Sequence, residues 1–436
     1  MLAELLQRGN LSMHIHVVQS GDTLWALANR YSVTIQQIVT VNGLSVSDIL
    51  VVGQALVIPT SEHYHTVKQG ESVWQIAKRY GTTPEALAQV NQLANVNLIQ
   101  IGQKLILHPK SLQSKEVNAY LINLGSSGQS MIEQVGDDLT YLSPFSYEVK
   151  SDGRLKDLND LQVLTIARAK KAFPLMSITN IDAKGFNSEI VHAILNNISV
   201  QEILINNILS ILTAKGYRGL NVDFEYVPSQ DRERYNQFLQ QVVNRLHPRG
   251  YSVSSALAPK LSSNQKGLLY EAHDYSRHGQ LLDFVVLMTY EWGWAGGPPM
   301  AIAPYNMVKR VLDYAVTVIP RHKIMIGVAL YARDWTLPYV KGGPNARSFS
   351  PQYAIQLAAR YHAFIQYDQL SQSPFFRYTD GQGRKHEVWF EDARSMQAKF
   401  NLVKDYNIRG VSYWVLPSSF PQVWPVQESS FNVIKL

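Results

Sequence analysis

There is no cysteine among the 436 residues, so disulfide scaffolds, thiolate zinc sites, iron–sulfur clusters and cysteine nucleophiles are excluded. Packing and hydrogen bonding must carry the fold. Charge is sparse too: 17% of residues are charged against 46% hydrophobic, too apolar for a disordered chain. The balance of 40 basic to 34 acidic residues, +6, permits attraction to an anionic polymer without establishing it. No apolar run approaches the roughly 18 residues of a membrane span, and a soluble protein is expected. Residues 1–13 mix Leu2, Leu5 and Leu6 with Glu4, Arg8 and Asn10, which is not the basic start and long apolar centre of a secretory signal. They read as an N-terminal extension, with Met13 an alternative natural start. The 12 histidines show no H-E-x-x-H spacing, and no glycine-rich phosphate loop occurs. No metal, cofactor or nucleic acid is expected, and the chain is expected to be a monomer.

What is present first is a repeat. Gly21, Trp25, Ala28, Arg30, Tyr31, Asn42, Gly53 and Gln54 recur as Gly70, Trp74, Ala77, Arg79, Tyr80, Asn91, Gly102 and Gln103, a constant offset of 70 − 21 = 49. Each copy reads as a short strand (16–18; 65–67), a Gly-acid turn, two short helices and a closing strand (56–59; 105–109). Leu24, Leu27, Ala28 and Tyr31, like Val73, Ile76, Ala77 and Tyr80, fall at three- and four-residue spacing and predict one core stripe per copy. Asp22-Thr23 and Glu71-Ser72 place acceptors where a helix begins. About 45 residues enclose little interior, and neither copy holds a carboxylate pair, so binding modules are favoured over enzymes.

The segments V-x-x-G-D/E-x-x-W-x-[IL]-A-x-R-Y and N-x-L, closed by G-Q-x-L-x-[IL], resemble the lysin motif, LysM. The resemblance covers 14–60 and 63–109, and implies a strand-helix-helix-strand fold whose shallow groove recognises the N-acetyl groups of peptidoglycan or chitin. By position, the groove residues would be Gly21, Asp22, Thr23 and Leu24 with Ile49 and Leu50, and Gly70, Glu71, Ser72 and Val73 with Leu98 and Ile99. Two weak sites on one chain gain by effective concentration when the ligand is itself a repeat. The other reading is that a copy docks against protein.

Residues 110–116 are polar and aperiodic, and read as a linker. Beyond them, apolar strand-like runs at 117–124, 139–147, 175–181, 219–226, 251–258, 284–290, 324–330 and 410–416 alternate with helix candidates such as 189–197, 200–215, 230–246 and 392–407. Eight alternations over 117–436 predict an α/β fold, a (β/α)8 TIM barrel. The longest interval, between the last two strands, carries a helix-like 351–361 and strand-like 375–379 and 385–390: a small α+β insertion at about 335–390. In such barrels catalytic groups come from the carboxyl ends of the strands.

There the sequence Gly219-Leu220-Asn221-Val222-Asp223-Phe224-Glu225-Tyr226 alternates strictly. Leu220, Val222 and Phe224 suit the helix-covered face, so Asn221, Asp223 and Glu225 point into the barrel. Two carboxyls at about 7 Å between Cα atoms, buried together, favour sharing a proton. One raised and protonated, the other ionised, is what glycoside cleavage asks of a general acid, and Glu225 is nearest the strand end. No other strand end offers an equally persuasive second carboxylate as nucleophile; an acetamido sugar can supply its own carbonyl oxygen.

The same residues resemble the D-x-D-x-E signature of glycoside hydrolase family 18. Met288-Thr289-Tyr290-Glu291 is similar to that family's M-x-Y-D, Ser412-Tyr413-Trp414 to its tryptophan on the last strand, and Ala119-Tyr120 to the G-Y of its first. The resemblance covers 117–417. It implies Glu225 as acid and then base, Asp223 orienting the acetamide, Tyr290 donating to the acetamide oxygen and Trp414 as the apolar floor. Asn221 and Glu291 each stand where an aspartate is usual. Tyr120, Asn221, Met288, Glu291, Trp292, Tyr147 and Tyr331 are further substrate-binding candidates, as are Trp294 and Asp334; core packing is the rival reading for Trp292 and Trp294.

Two LysM copies ahead of a family 18 barrel resemble the spore cortex-lytic N-acetylglucosaminidases of endospore-forming bacteria. That resemblance implies hydrolysis of cortex peptidoglycan during germination, after N-acetylglucosamine and with retention. It also implies a place at the spore's coat and cortex boundary for a protein made in the mother cell. A chitinase or chitin-oligosaccharide hydrolase, and a non-catalytic wall-binding protein, are the alternatives.

Overall fold

The computed structural model describes residues 12–60, 64–80, 82–96, 98–107 and 112–436. Most of the expected N-terminal extension, part of the linker and the end of the second closing strand lie outside them, as does the Tyr80 side chain. Two compact units form: residues 1–113 with 421–431, and residues 114–420 with 432–436.

In the first unit, β1 (Ser12–Val17), α1 (Leu24–Tyr31), α2 (Ile35–Asn42) and β2 (Ala55–Thr60) make one module. Its strands pair antiparallel, and Leu24, Leu27, Ala28, Ile38, Leu56 and Ile58 form its core. The Thr23 side chain caps α1, and a capping box at Thr34 and Gln37 starts α2. The second module repeats the plan with β3 (Tyr64–Thr66), α3 (Val73–Tyr80), α4 (Pro84–Val90) and β4 (Lys104–Ile106) around Val73, Ile76, Ala77, Leu87 and Leu105. Asn42 and Asn91 explain why asparagine recurs. Each donates to the preceding helical turn (Ile38 O; Leu87 O) and binds the closing strand on both sides (Val57 O and N; Ile106 O and N).

The segment 421–431 was expected to end the barrel. It joins the first module instead, because the Gln422 amide is buried and donates to Asn42 Oδ1 and Ala55 O, both at 2.8 Å. Both of these partners lie on that module, and leaving a buried amide N–H without them would be costly.

The second unit is a closed ring of eight parallel strands: β5 (Ser114–Leu121), β6 (Tyr141–Pro144), β7 (Phe173–Thr179), β8 (Gly219–Asp223), β9 (Ser252–Leu257), β10 (Phe284–Leu287), β11 (Ile324–Ala329) and, after the insertion, Gly410–Leu416. Closure is the parallel pairing of β7 with β8, from Leu175 against Gly219 to Thr179 against Asp223. The insertion is a five-stranded antiparallel sheet, β12 (Ala332–Leu337), β13 (Arg347–Phe349), β14 (Gln366–Asp368), β15 (Ser373–Thr379) and β16 (Lys385–Trp389), with one helix, Pro351–Arg360. It starts at Ala332, a few residues earlier than expected. The last barrel strand, β17 (Gly410–Leu416), pairs with β11 and β5.

The ring's interior changes character along its axis. Tyr141, Leu175, Phe284, Val286 and Met325 fill the end where the strands begin. Further along, polar side chains satisfy one another: Ser143 donates to Asn118, Asn118 to Ser412, and Asn221 to Ser254. Burying these groups is tolerated because each finds a partner. The site lies beyond this ring, at the carboxyl ends.

Candidate active site

β8 delivers Asp223 into the barrel, and Glu225 follows two residues past the end of the strand. Leu220, Val222 and Phe224 are wholly buried on the opposite side, with the Phe224 ring 6.0 Å from those of Tyr235 and Phe238 on the helix Arg232–Leu246. Two groups invisible in the motif hold the segment where regular strand geometry ends. Asn180 brackets Glu225, accepting from its N–H at 2.9 Å and donating to its carbonyl at 2.8 Å. His273 takes the Ala258 N–H on Nδ1 and therefore donates from Nε2 to the Phe224 carbonyl at 3.0 Å. Burial pushes His273 down to about 4, so it braces the chain as a neutral ring.

Asp223 is 4% exposed, and its Oδ1 has no hydrogen-bond partner among the described residues. Burial pushes its carboxyl up to about 7. Glu225 is raised well above the carboxylate range by burial, then by the Asp223 charge, then by Glu291. Two carboxyls buried so close together favour sharing a proton. Tyr120 donates to Asn221 Oδ1 at 2.9 Å, so the amide standing where an aspartate is usual is a neutral link between Tyr120 and Ser254.

The other strand ends complete the mouth. Tyr290 lies beside the pair, its hydroxyl pushed up by burial and then by Tyr120 and Asp223. Gly327 makes room for it, since a Cβ there would stand 2.5 Å from the Tyr290 ring. Met288 is buried and Thr289 donates to the Gly327 carbonyl. Trp414 is half-buried, its ring 5.5 Å from Tyr120 and 4.7 Å from Phe145, a braced apolar wall. Glu291 reaches toward Glu225 from beyond β10 and is bound by Tyr331 and Arg333. Trp292 is half-buried and Trp294 is 55% exposed.

In the small modules, the Gly-acid turn has a common support. Asp22 accepts the Gln19 N–H and His16 Nε2–H, both at 2.8 Å; Glu71 accepts the Lys68 N–H, His65 and Arg79. Against the burial that raises it, these partners bring Glu71 down to about 2. Gly21 and Gly70 adopt φ of +86° and +81°, which an L side chain resists. Thr23 and Ser72 cap their helices, while Ile49 and Leu98 stand 69% and 72% exposed beside the half-buried Leu50 and Ile99.

Residues 118–418 match the glycosyl hydrolases family 18, and 16–59 and 65–107 match the LysM domain. The chain belongs to glycosyl hydrolases family 18. It is 51% identical to the cortical fragment-lytic enzyme of Bacillus subtilis (strain 168) over 427 residues, 97% of this chain and 99% of that protein. The crystal structure of the Bacillus cereus spore cortex-lytic enzyme SleL superposes with a TM-score of 0.88 at 42% identity, covering 97% of this chain and 99% of the other. A chitinase from Chromobacterium violaceum, 24% identical with a TM-score of 0.66 over 73% of this chain and 99% of that one, shares the barrel fold.

Three expectations are corrected, two in the family 18 barrel and its insertion and one in the LysM modules. Tyr147 is not in the cleft: it is wholly buried, donating to Asp160 at 2.5 Å and accepting from Lys215. Asp334 belongs to the insertion's interior, where it accepts from Tyr378 and binds His386. In the LysM modules, the Leu24 and Val73 side chains belong to the module cores. Asn180, His273 and Arg333 escaped sequence reading because each is distant in the chain from the motif it supports; a polar residue just past a barrel strand was the one available signal.

Proposed function

We propose that this family 18 hydrolase is an N-acetylglucosaminidase of spore cortex peptidoglycan, cutting the β-1,4 bond on the reducing side of N-acetylglucosamine with retention, and that its LysM modules bind the same glycan. The observation that carries the chemistry is the burial of Asp223 and Glu225 together at the end of β8, which raises both carboxyls. Near full-length likeness to cortical fragment-lytic enzymes supports the substrate.

In this reading Glu225 gives its proton to the glycosidic oxygen as the bond to C1 breaks, and the sugar's acetamide oxygen closes onto C1. The ring that forms carries positive charge on nitrogen, which the Asp223 anion orients and stabilises; Tyr290 donates to the acetamide oxygen. The ionised Glu225 then takes a proton from the water that opens the ring; the acetamide attacks C1 opposite the departing group and the water enters where that group left, so two inversions retain configuration. Trp414 is the floor under the reacting sugar, with Tyr120, Asn221 and Met288 behind it and Glu291, Tyr331 and Trp292 at the rim. The enzyme works as a monomer, in the spore, where this glycan is.

Digesting purified spore cortex and reducing the new ends tests this reading. N-acetylglucosaminitol is expected; N-acetylmuramitol would overturn it, and cleavage of chitin with cortex untouched would make the enzyme a chitinase.

A further inference from the structure

The amino end of the barrel, opposite the catalytic mouth, holds a cavity of about 200 Å³ where β7 and β8 begin. Ala172, Phe173 and Pro174 give it an apolar floor, and Arg168, Lys171 and Arg218 ring that floor with positive charge. Among the described residues no carboxylate lines it.

The backbone that carries the cations is fixed. Arg168 is in the last turn of the helix Leu161–Ala169 and donates from Nη1 to the Lys215 carbonyl at 3.1 Å. Lys171 follows that helix with a φ of +53°, the left-handed position where glycine is usual. Its turn is closed by its own N–H to Arg168 O at 3.0 Å and by the Ala172 N–H to Ala167 O at 2.8 Å. Arg218 leads into β8, its N–H donating to the Pro174 carbonyl at 2.9 Å and its guanidinium lying 5.0 Å over the Phe173 ring.

Cations near a helix C-terminus complement its dipole, which suits Arg168 and Lys171 but not Arg218. Pairing with carboxylates explains the neighbouring cations: Lys170 binds Asp137 at 2.9 Å, and Lys215 binds Asp157 at 2.8 Å and Asp160 at 3.0 Å. Among the described residues Arg168, Lys171 and Arg218 have no such partner. Like charges gathered around one concavity repel one another, so stability of the fold does not account for them.

We propose that this pocket binds an organic carboxylate, the three cations taking the anion and the apolar floor taking the carbon chain that bears it. Two sources carry that chemistry: the peptide side chains of the glycan, and a small free dicarboxylate. Since the pocket and Glu225 lie at opposite ends of the barrel, occupancy is a point of attachment and not a step of the cleavage.

Calorimetric titration of the full-length enzyme with glutarate tests the site. Saturable binding that weakens as salt is added is expected, and Arg168→Gln with Arg218→Gln should weaken it by ~tenfold or more while kcat on soluble cortex fragments stays unchanged. Without glutarate that double variant should melt at or above the wild-type temperature, because repelling charges are gone. If it melts well below, the arginines are structural, and the loss of glutarate binding in Lys171→Gln decides. The source is read with cortex fragments in the Glu225→Gln background. If the polymer supplies the carboxylate, the double variant loses affinity for fragments that keep their peptides and not for fragments stripped of them; if a free acid supplies it, glutarate binding alone falls. No saturable binding of glutarate, equal binding by wild type and variants, or tighter binding of inorganic phosphate than of glutarate would overturn the proposal. The fragment arm rests on the functional reading above, whereas the glutarate arm stands without it, so the two fail separately.

Discussion

Asp223 and Glu225 divide one task because their surroundings differ. Both are raised by burial, and Glu225 is raised also by the neighbouring charges of Asp223 and Glu291. In the proposed mechanism turnover requires Glu225 protonated and Asp223 ionised, so a bell-shaped pH profile is expected: activity falls on the acid side as Asp223 takes up a proton and on the alkaline side as Glu225 gives its proton up. Asp223→Asn should lower kcat by ~100–1000-fold, since the developing positive charge loses its anion. It should also shift the alkaline limb to lower pH, because Glu225 loses a repelling neighbour. A profile unmoved by that substitution, measured as kcat/KM against pH, would separate the two carboxyls. The placement of Asp223 and Glu225 at the mouth of the barrel was legible in the sequence because alternation along a strand is a local property. Tyr147 misled for a related reason: the strand breaks after Pro144, and the chain that resumes at Tyr147 turns its side chain onto Asp160 and Lys215.

At the scale of elements, the carboxyl ends of β8, β10, β11 and β17 converge, so a side chain on one is seated by the backbone of another. Gly327 on β11 is such a seat for Tyr290. Gly327→Ala should push the Tyr290 ring aside and lower kcat by ~100-fold, the scale of a 1 Å misplacement, while far-ultraviolet circular dichroism stays that of the wild type. An unchanged kcat would mean that the ring's position is unimportant. Eight strand-like runs in the sequence sufficed for the barrel because parallel strands buried on both faces are nearly continuously apolar. The supports contributed by Asn180, His273 and Arg333 were not legible, since they depend on which strand ends become neighbours after closure. The insertion's sheet explains Arg333: its register opposite Ser348 and Trp389 is a long-range pairing without a local signature.

For the whole molecule, the repeat at an offset of 49 announced two modules, and the fixed glycines and exposed Ile49 and Leu98 mark the same loops in both. Linked weak sites multiply on a repeating glycan, so either Ile49→Ser or Leu98→Ser should weaken retention on insoluble cortex by ~100-fold or more. The loss of kcat/KM on soluble fragments should be much smaller; equal losses on both substrates would remove the division of labour. Point substitutions are the better probe than deletion, because 421–431 groups with the first module and deleting that module would strip the buried Gln422 amide of its partners Asn42 and Ala55. That packing was illegible because a glutamine in a C-terminal segment carries no sign of its partner 380 residues away.

The central claim is that Glu225 supplies the proton that releases the sugar. Counting new reducing ends from purified cortex treated with Glu225→Gln and with the wild type, under conditions where both bind the glycan equally, tests it most directly. A loss of turnover by ~1000-fold or more with binding intact is the expected result; cleavage within about tenfold of the wild type would contradict the account.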